Sequence, residues 1–433
     1  MSSEYIVAQK PIINYCKKIG WTYKSREELE KLRLLNENKT FGFILKDNLK
    51  RKLIQFNPNL EDVDQIIDNL EKVSDGIYGN KLFLEYLKNK KNFFSKKLNR
   101  ELNLKVIDYE DINNNDFIVT DEFYAKNHFN AIRQDVVFII NGLPIIDCET
   151  KNATKEDAIE ESIKQIDRYH NEVPELLTLQ QMFVASDAMD FNYGSTWNLS
   201  RRGIFKWKSD KPGKLNIKTE TFFDKKNILN FVKKYITFSE KEKKITKFIL
   251  MHHQIEALEL CIDRALDKTK KRALIWHTQG SGKTLTMMSL AQNIFERTKD
   301  KPTILMLIDR TELEDKLITD LISIDLNYVK VAKSIADISN LLKEDFRGII
   351  VSTIQKFEKI KKDINLKNDI YVLVDEAHRT TQGDLGNYLM GAIPNATFFG
   401  FTGTPIDKTL YGKGTFKTFG TDDDKVFLHK SSI

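Results

Sequence analysis

Cysteine is nearly absent, with three in 433 residues. Cys16, Cys148 and Cys261 lie far apart and are odd in number. That excludes a disulfide-stapled scaffold and shows no metal-ligand spacing, so they read as reduced thiols of a cytoplasmic protein. With only 19 glycines a collagen-like repeat is excluded. No window approaches about 18 apolar residues without a charge, so nothing in the sequence reads as a membrane span. Residues Met1 to Pro11 lack the basic start and apolar stretch of a secretory leader. A dominant charge sign is missing too: 68 Lys and Arg stand against 62 Asp and Glu, a formal net charge of +6. This bias permits nucleic acid as a partner without arguing for it.

Hydrophobic residues at 41% and charged residues at 30% make a soluble, globular composition and exclude disorder over the whole chain. At about 150 residues per domain the length suggests two or three domains. Three stretches differ in texture. Residues 1–205 mix helical patterns with a hairpin, and Ser3 to Ile19 shows helical periodicity closed by Gly20. Within them, Lys81 to Lys105 is rich in Lys and Arg around Phe93 and Phe94, which suits either a solvated helix face or contact with a phosphate backbone. Residues 206–245 are Lys-rich and poor in long apolar runs, and read as a basic connector whose charge is mostly solvated. Residues 246–433 alternate strand-like runs (Ala273 to Trp276, Thr303 to Ile308, Gly348 to Ser352, Tyr371 to Val374, Ala396 to Phe401) with helical patterns at Thr284 to Thr298 and Thr311 to Ile322. That alternation predicts an α/β fold with a parallel sheet covered by helices on both faces.

The strongest motif is Thr278-Gln279-Gly280-Ser281-Gly282-Lys283-Thr284, which follows a strand and opens a helix. A bound phosphate needs backbone N–H groups pointing inward, and glycine where side chains would block approach. Lys283 can then reach the β- and γ-phosphates, and the Thr284 hydroxyl can bind Mg²⁺. His277 takes the place of the first glycine of the usual phosphate-binding loop. A second piece, Tyr371 to Val374 followed by Asp375-Glu376-Ala377-His378, delivers two carboxylates at the C-terminal end of a strand, the edge where open parallel sheets bind ligands. Asp375 would hold Mg²⁺ and Glu376 would orient the attacking water.

Asp375-Glu376-Ala377-His378 resembles the DEAH box of superfamily 2 helicases and translocases. Further segments agree in order: Ile308 to Leu313, with Arg310, and Val351 to Phe357, with Thr353 and Gln355, resemble the motifs that touch nucleic acid. Thr402-Gly403-Thr404-Pro405 resembles the motif that couples ATP state to DNA grip through Thr402 and Thr404. Gln254 stands where such enzymes place an adenine-reading glutamine. The resemblance implies a RecA-like domain binding ATP and Mg²⁺ through Gln254, Thr278, Gly280, Ser281, Gly282, Lys283, Thr284, Asp375 and His378.

In the first stretch, Asp135 to Ile140 and Leu143 to Lys151 flank Asn141-Gly142, a hairpin signal. Glu149 and Lys151 are two apart and share one face. A plain two-residue loop puts Asp135 opposite Cys148, with Glu149 on the far face; an odd-length loop or an equivalent bulge puts Asp135, Glu149 and Lys151 together. The chemistry of that cluster suits phosphodiester hydrolysis, with Asp135 and Glu149 holding one or two Mg²⁺ ions and Lys151 stabilising hydroxide or the charge building on phosphorus. By itself the pattern also suits a charged hairpin end. Thr154 to His170 reads as a helix, with Thr154 and Asp157 as a capping box and Ile159, Ile163 and Ile166 as its apolar face. On it Gln165 and Tyr169, four apart, can meet one substrate.

Asp135, Glu149-x-Lys151 and Gln165-x-x-x-Tyr169 together resemble the RecB-type nuclease of type I restriction enzyme R subunits, and Glu4 matches an N-terminal acidic position of that class. A nuclease domain over 1–205, a mixed sheet flanked by helices, followed by a DEAH-box domain over 246–433, is the domain order of that family. The resemblance implies a DNA-cleaving, ATP-dependent translocating subunit acting on double-stranded DNA, with modification and specificity subunits as partners. A second RecA-like domain and a C-terminal helical region are expected in the family, so an N-terminal fragment or truncated product, weak or inactive as an ATPase, is the expectation. The alternatives are a repair-type helicase–nuclease and a remnant that binds DNA or nucleotide without catalysis.

Overall fold

The computed structural model describes residues 5–33, 42–152, 157–187, 189–207, 214–297, 301–308, 312–323, 326, 328–358, 360–379, 385–406, 414–420 and 427–431. The chain divides into two compact units, residues up to 238 with 244–249, and residues 239–243 with 250 onward. Among the described residues no helix is long and apolar enough to cross a membrane.

The first unit is built on seven strands: β1 (Thr22–Lys24), β2 (Phe117–Lys126), β3 (Ala131–Ile140), β4 (Leu143–Thr150), β5 (Met182–Ser186), β6 (Phe191–Ser195) and β7 (Ile204–Lys206). They lie side by side in chain order. β1 with β2 and β4 with β5 run parallel and the other neighbours antiparallel, so the sheet is mixed. Every residue of β4 is buried, as a strand covered on both faces must be. The β3–β4 turn is Asn141-Gly142, with φ of +52° and +87°, both positive as a type I′ turn requires. Ile140 pairs with Leu143 and Ile139 with Pro144, then the register slips and Phe138 pairs with Ile146. Ile145 is thus the extra residue of a bulge, beside Pro144, which has no N–H to give the ladder. Of the two arrangements that bring the acids together, the bulge is the one that forms.

Helix α1 (Lys10–Lys18) follows a π-helical turn at Tyr5–Gln9, and the chain leaves it through Gly20 at φ +92°. Helix α2 (Ala158–Glu172) buries Ala158, Ser162, Ile166 and Tyr169. The apolar face is therefore shifted from the expected Ile159–Ile163–Ile166 stripe, because Tyr169 and two small residues seat against the sheet. Asp157 is itself the N-cap residue and makes no side-chain cap bond, while Thr154 lies outside the described residues. The stretch Lys81 to Lys105 is not one helix: a helix ends at Leu87 and a hairpin follows (Asn92–Ser95, Arg100–Asn103), with Phe93 buried and Phe94 exposed.

The expectation of a solvated connector at 206–245 is corrected. Leu215–Phe222 forms helix α3, and Phe222, Phe223, Phe231 and Tyr235 are buried in the first unit. The Phe223 ring stacks on Phe138 of β3 with centroids 3.9 Å apart, and its carbonyl accepts from Trp21 Nε1 at 2.8 Å. Phe222 meets Phe191, Tyr193 and Trp207. These aromatics are scattered among lysines without a helical or strand period, so the pattern conceals a core segment that only packing reveals. A further hairpin follows, β8 (Ile236–Lys241) and β9 (Lys244–Ile249). On β9 Lys247 is fully buried, its ammonium donating to Asn80, Gln181 and Thr196 at 2.6–3.1 Å.

The second unit holds seven strands, β10 (Arg272–His277), β11 (Thr303–Ile308), β12 (Val329–Val331), β13 (Gly348–Thr353), β14 (Ile370–Val374), β15 (Thr397–Thr402) and β16 (His429–Ser431). Their order is β12-β13-β11-β14-β15-β10-β16 and every neighbouring pair is parallel. Helices α4 (His252–Leu266) and α5 (Lys283–Arg297) flank β10 in the chain. The core joins Leu305, Leu307, Ile350, Val372, Val374 and Phe398 across the sheet. The five strands expected from the sequence all form, and two three-residue edge strands join them, too short to carry a pattern.

Candidate functional site

In the first unit the slipped register carries β3 past β4 so that Val136 pairs with Cys148 and Val137 with Asp147. Asp135 then stands across from Glu149, and the residues at 135, 147, 149 and 151 share one face. The contacts agree. The Asp135 backbone N–H donates to Glu149 Oε1 at 3.2 Å. Asp135 Oδ2 accepts from the Thr150 backbone N–H at 2.9 Å and hydroxyl at 3.1 Å. The Lys151 ammonium lies 3.8 Å from Asp135 and 4.0 Å from Glu149. Glu149 and Asp147 are fully buried. Among the described residues no group in hydrogen-bond geometry serves either oxygen of Asp147 or Oε2 of Glu149. Burial pushes both carboxyls well above the usual carboxylate range, and the Asp135 charge pushes the same way while Lys151 opposes it.

Helix α2 supplies the other two expected residues. Gln165 Nε2 donates to Tyr169 Oη at 2.5 Å, and Tyr169 Oη donates to the Arg133 carbonyl of β3 at 2.7 Å. Tyr169 is fully buried, so its hydroxyl fixes the helix to the strand that carries Asp135, and of the pair only Gln165 reaches the open side. That side is a groove of about 580 Å³ lined by Arg26, Arg133, Asp135, Gln165 and Arg168 among others.

In the second unit the phosphate-binding motif leaves β10 and enters α5. Gly280 and Gly282 have φ of +83° and +77°, conformations that side chains resist. The Lys283 ammonium lies 3.5 Å from the His277 carbonyl and 3.8 Å from Glu376. Thr284 is exposed in the first turn of α5, and the hydroxyls of Thr278 and Ser281 have no hydrogen-bond partner among the described residues. Gln254 is buried on α4, its amide donating to the Gly282 carbonyl at 3.0 Å and its Oε1 accepting from the Met251 N–H at 2.8 Å. Asp375 and Glu376 follow β14, with Glu376 at φ +46°. His378 Nδ1 is 2.8 Å from Thr402 Oγ1, which also accepts from the Thr404 N–H at 3.2 Å. The loop after β15 closes against the phosphate-binding loop, with Trp276 Nε1 donating to the Gly403 carbonyl at 3.3 Å. Thr353 ends β13 and Gln355 is exposed in the turn after it. Glu4 and Arg310 lie outside the described residues.

Three features were not singled out as site residues from the sequence. Asp147 joins the acidic face; the alternation Asp147, Glu149, Lys151 carried that signal. His429 of β16 lies 2.7 Å from His277, and Trp276 ties the two loops together; neither has a local signal, since both depend on which strands become neighbours.

A parallel sheet with a glycine-bent phosphate loop and a carboxylate pair at its strand ends defines the second unit as a RecA-like, P-loop class of domain, set in one chain with a mixed-sheet domain that carries an acidic cluster. Residues 1–201 match the family described as type I restriction enzyme R protein N terminus, and residues 253–432 match the SWI2/SNF2 ATPase family. The chain thus joins the N-terminal domain of type I restriction enzyme R proteins to a SWI2/SNF2 ATPase domain. It is 28% identical over 97% of its length to a protein described as type I restriction enzyme MjaIXP endonuclease subunit of Methanocaldococcus jannaschii, covering 44% of that protein. It is 25% identical over 93% of its length to the type I restriction enzyme HindI endonuclease subunit of Haemophilus influenzae, covering 42% of it. The chain therefore spans less than half the length of these relatives. Among solved structures, the UvsW helicase of bacteriophage T4 aligns over 41% of this chain and 60% of its own at 18% identity with a TM-score of 0.31, a likeness from which neither ligand nor activity carries over.

Proposed function

We propose that this chain is the DNA-cleaving and ATP-dependent DNA-translocating part of a type I restriction–modification complex, working in the cytoplasm on unmodified duplex DNA with modification and specificity subunits as partners. The observation that carries the nuclease half is the bulge at Ile145, which sets Asp135 across from Glu149 with Lys151 within 4.0 Å of both. In this reading the first unit is the endonuclease domain and the second the first RecA-like motor domain.

The acidic cluster suits a divalent cation. Its donors are hard oxygens, and both Asp147 oxygens and Oε2 of Glu149 are buried without hydrogen bonds among the described residues. Such a donor set suits Mg²⁺, which takes one or two carboxylates and fills its remaining positions with water and phosphate oxygen. Asp135 and Glu149 would hold it; when bound, it supplies polarisation of the scissile phosphate and a water of lowered pKa. Lys151 stabilises charge on the phosphate oxygens, Tyr169 fixes the strand, and Gln165 orients substrate from the groove wall. In the second unit the unpartnered hydroxyls of Thr278 and Ser281 and the Lys283 ammonium suit a polyphosphate, with Thr284 and Asp375 toward Mg²⁺ and Glu376 toward water. Gln254 props the loop through the Gly282 carbonyl, and His378 with Thr402 passes the state of the site to the loop after β15.

Nicking of supercoiled plasmid by the purified chain with Mg²⁺ tests this reading. Asp135→Ala and Glu149→Gln should each lower the rate by at least about 100-fold, the loss expected when a metal ligand goes. Equal cutting by Asp135→Ala would refute the nuclease assignment.

A further inference from the structure

The hairpin of β2 and β3 ends in the turn Asn127–Asn130, and at its tip Phe129 is 90% exposed, more than any other large hydrophobic side chain among the described residues. The turn is held rigidly. Asn127 Oδ1 accepts from the Phe129 and Asn130 N–H groups at 3.0 and 2.8 Å. Asn127 Nδ2 donates to the Glu172 carbonyl at 2.9 Å and to the Glu175 carboxylate at 3.1 Å, and Asn130 Nδ2 to the Glu172 carbonyl at 3.2 Å. The tip is thus pinned to the end of α2, the helix that carries Gln165 and Tyr169. An aromatic ring presented to water on a frame this fixed is preorganised for a flat apolar partner.

The rest of the hairpin says what that partner is. From the tip, β3 runs along the groove through Arg133 to Asp135, and Arg168 of α2 lines the same groove. The His128 ring lies edge-on beside Phe129, with centroids 6.5 Å apart. In the middle of β2, Glu122 takes φ +49° between the pairs Asp121–Val136 and Phe123–Gln134, opposite Asp135 in an unshifted register. Its carboxylate reaches Arg133 Nε at 2.6 Å. A left-handed glutamate within a strand is backbone strain kept beside a candidate site. The pair is exposed on the arginine side, 61%, and such pairs are weak, so Arg133 can exchange Glu122 for a phosphate.

We propose that this hairpin is a DNA-engaging finger: Phe129 stacks on a nucleobase at the end of the groove while Arg133 and Arg168 take the backbone phosphates that lead to Asp135. The inference rests on the nuclease reading of that groove. Six residues separate Phe129 from Asp135, about 20 Å at 3.3 Å per residue. The stacked base therefore lies about six nucleotides from the scissile phosphate, at 3.4 Å per nucleotide along one strand.

The test uses the full 433-residue chain. Asp135→Asn in that chain allows DNA to bind without being cut, and the probe is a set of duplexes carrying 2-aminopurine at successive positions around a cut site mapped with the parent protein. Quenching confined to a base about six nucleotides from the cut is expected. Added Phe129→Ala should abolish the quench and raise Kd about tenfold, in line with the loss of one stacked base, while Phe129→Trp keeps both. Arg133→Gln should reduce the slope of log K against log salt by about one. Unchanged quench and Kd in Phe129→Ala would overturn the finger, as would a Phe129→Ala defect confined to association with another protein. The nuclease reading is judged apart, by cutting: if Asp135→Asn cuts as the parent does, that reading falls, and a Phe129-dependent quench would still establish the stacking contact.

Discussion

Gly142, the second residue of the β3–β4 turn, combines φ +87° with a position where a Cβ would lie 2.5 Å from the Leu45 carbonyl oxygen. Gly142→Ala should cost at least about 2 kcal/mol, from the left-handed backbone together with the clash, measured as a lower urea midpoint at unchanged slope. His170 offers a second measurement at this scale. Burial, with the nearby Lys247 charge, pulls its imidazole down from 6.5 to about 4, and neither ring nitrogen has a hydrogen-bond partner among the described residues. Between those values the unfolded chain holds a proton that the folded chain refuses. Stability is therefore complete above pH 6.5 and declines as pH falls toward 4, by up to about 3 kcal/mol. Denaturation followed from pH 7 to pH 4 should show this slope, and His170→Asn should flatten it; an equal slope in the variant would assign the effect to another group.

At the scale of the element, the acidic cluster depends on strand register. Deleting Ile145 would remove the bulge and its extra residue together, leaving Phe138 opposite Ile146 and Asp135 opposite Glu149, whereas an alanine inserted between Ile146 and Asp147 would set Asp135 opposite Cys148 and turn Glu149 to the other face. The insertion should abolish plasmid nicking, whereas Ile145→Val, which leaves the register unchanged, should retain it. Cutting by the insertion variant would mean that the acids meet in some other way. The hairpin, the helix bearing Gln165 and Tyr169 and the phosphate-binding loop were all legible as elements, because Asn-Gly between apolar runs, apolar spacing near 3.6 and glycines before Lys-Thr each report local backbone preference. The bulge was legible only as one of two ways to satisfy the same parity. The apolar face of α2 was read one step off, because burial of Ala158, Ser162 and Tyr169 is set by the sheet they meet.

For the whole molecule, nucleotide is assigned to the second unit alone. Mg·ATP at about 100 times its Kd should add about 2.7 kcal/mol of stability to the unit that binds it. Slowed hydrogen exchange should accordingly appear in peptides from residues 250–431, around the phosphate-binding loop and the Asp375-Glu376 turn, and vanish in Lys283→Ala. Protection confined to residues 5–238 would refute the assignment.

The sequence by itself determined the identity of the chemical groups and their local settings: Lys283 at the start of a helix, Asp375 and Glu376 at the end of a buried strand, Glu149 and Lys151 on one strand face. Those follow from short-range sterics and periodicity, which a linear pattern records. Tertiary structure alone decided that a bulge at Ile145 is what sets Asp135 across from Glu149, that Phe222 and Phe223 make residues 215–235 part of a core, and that His429 and Trp276 reach the nucleotide loop. Each of these turns on which distant strands become neighbours and on what is buried between them, and burial is a property of the packed chain that no local window contains.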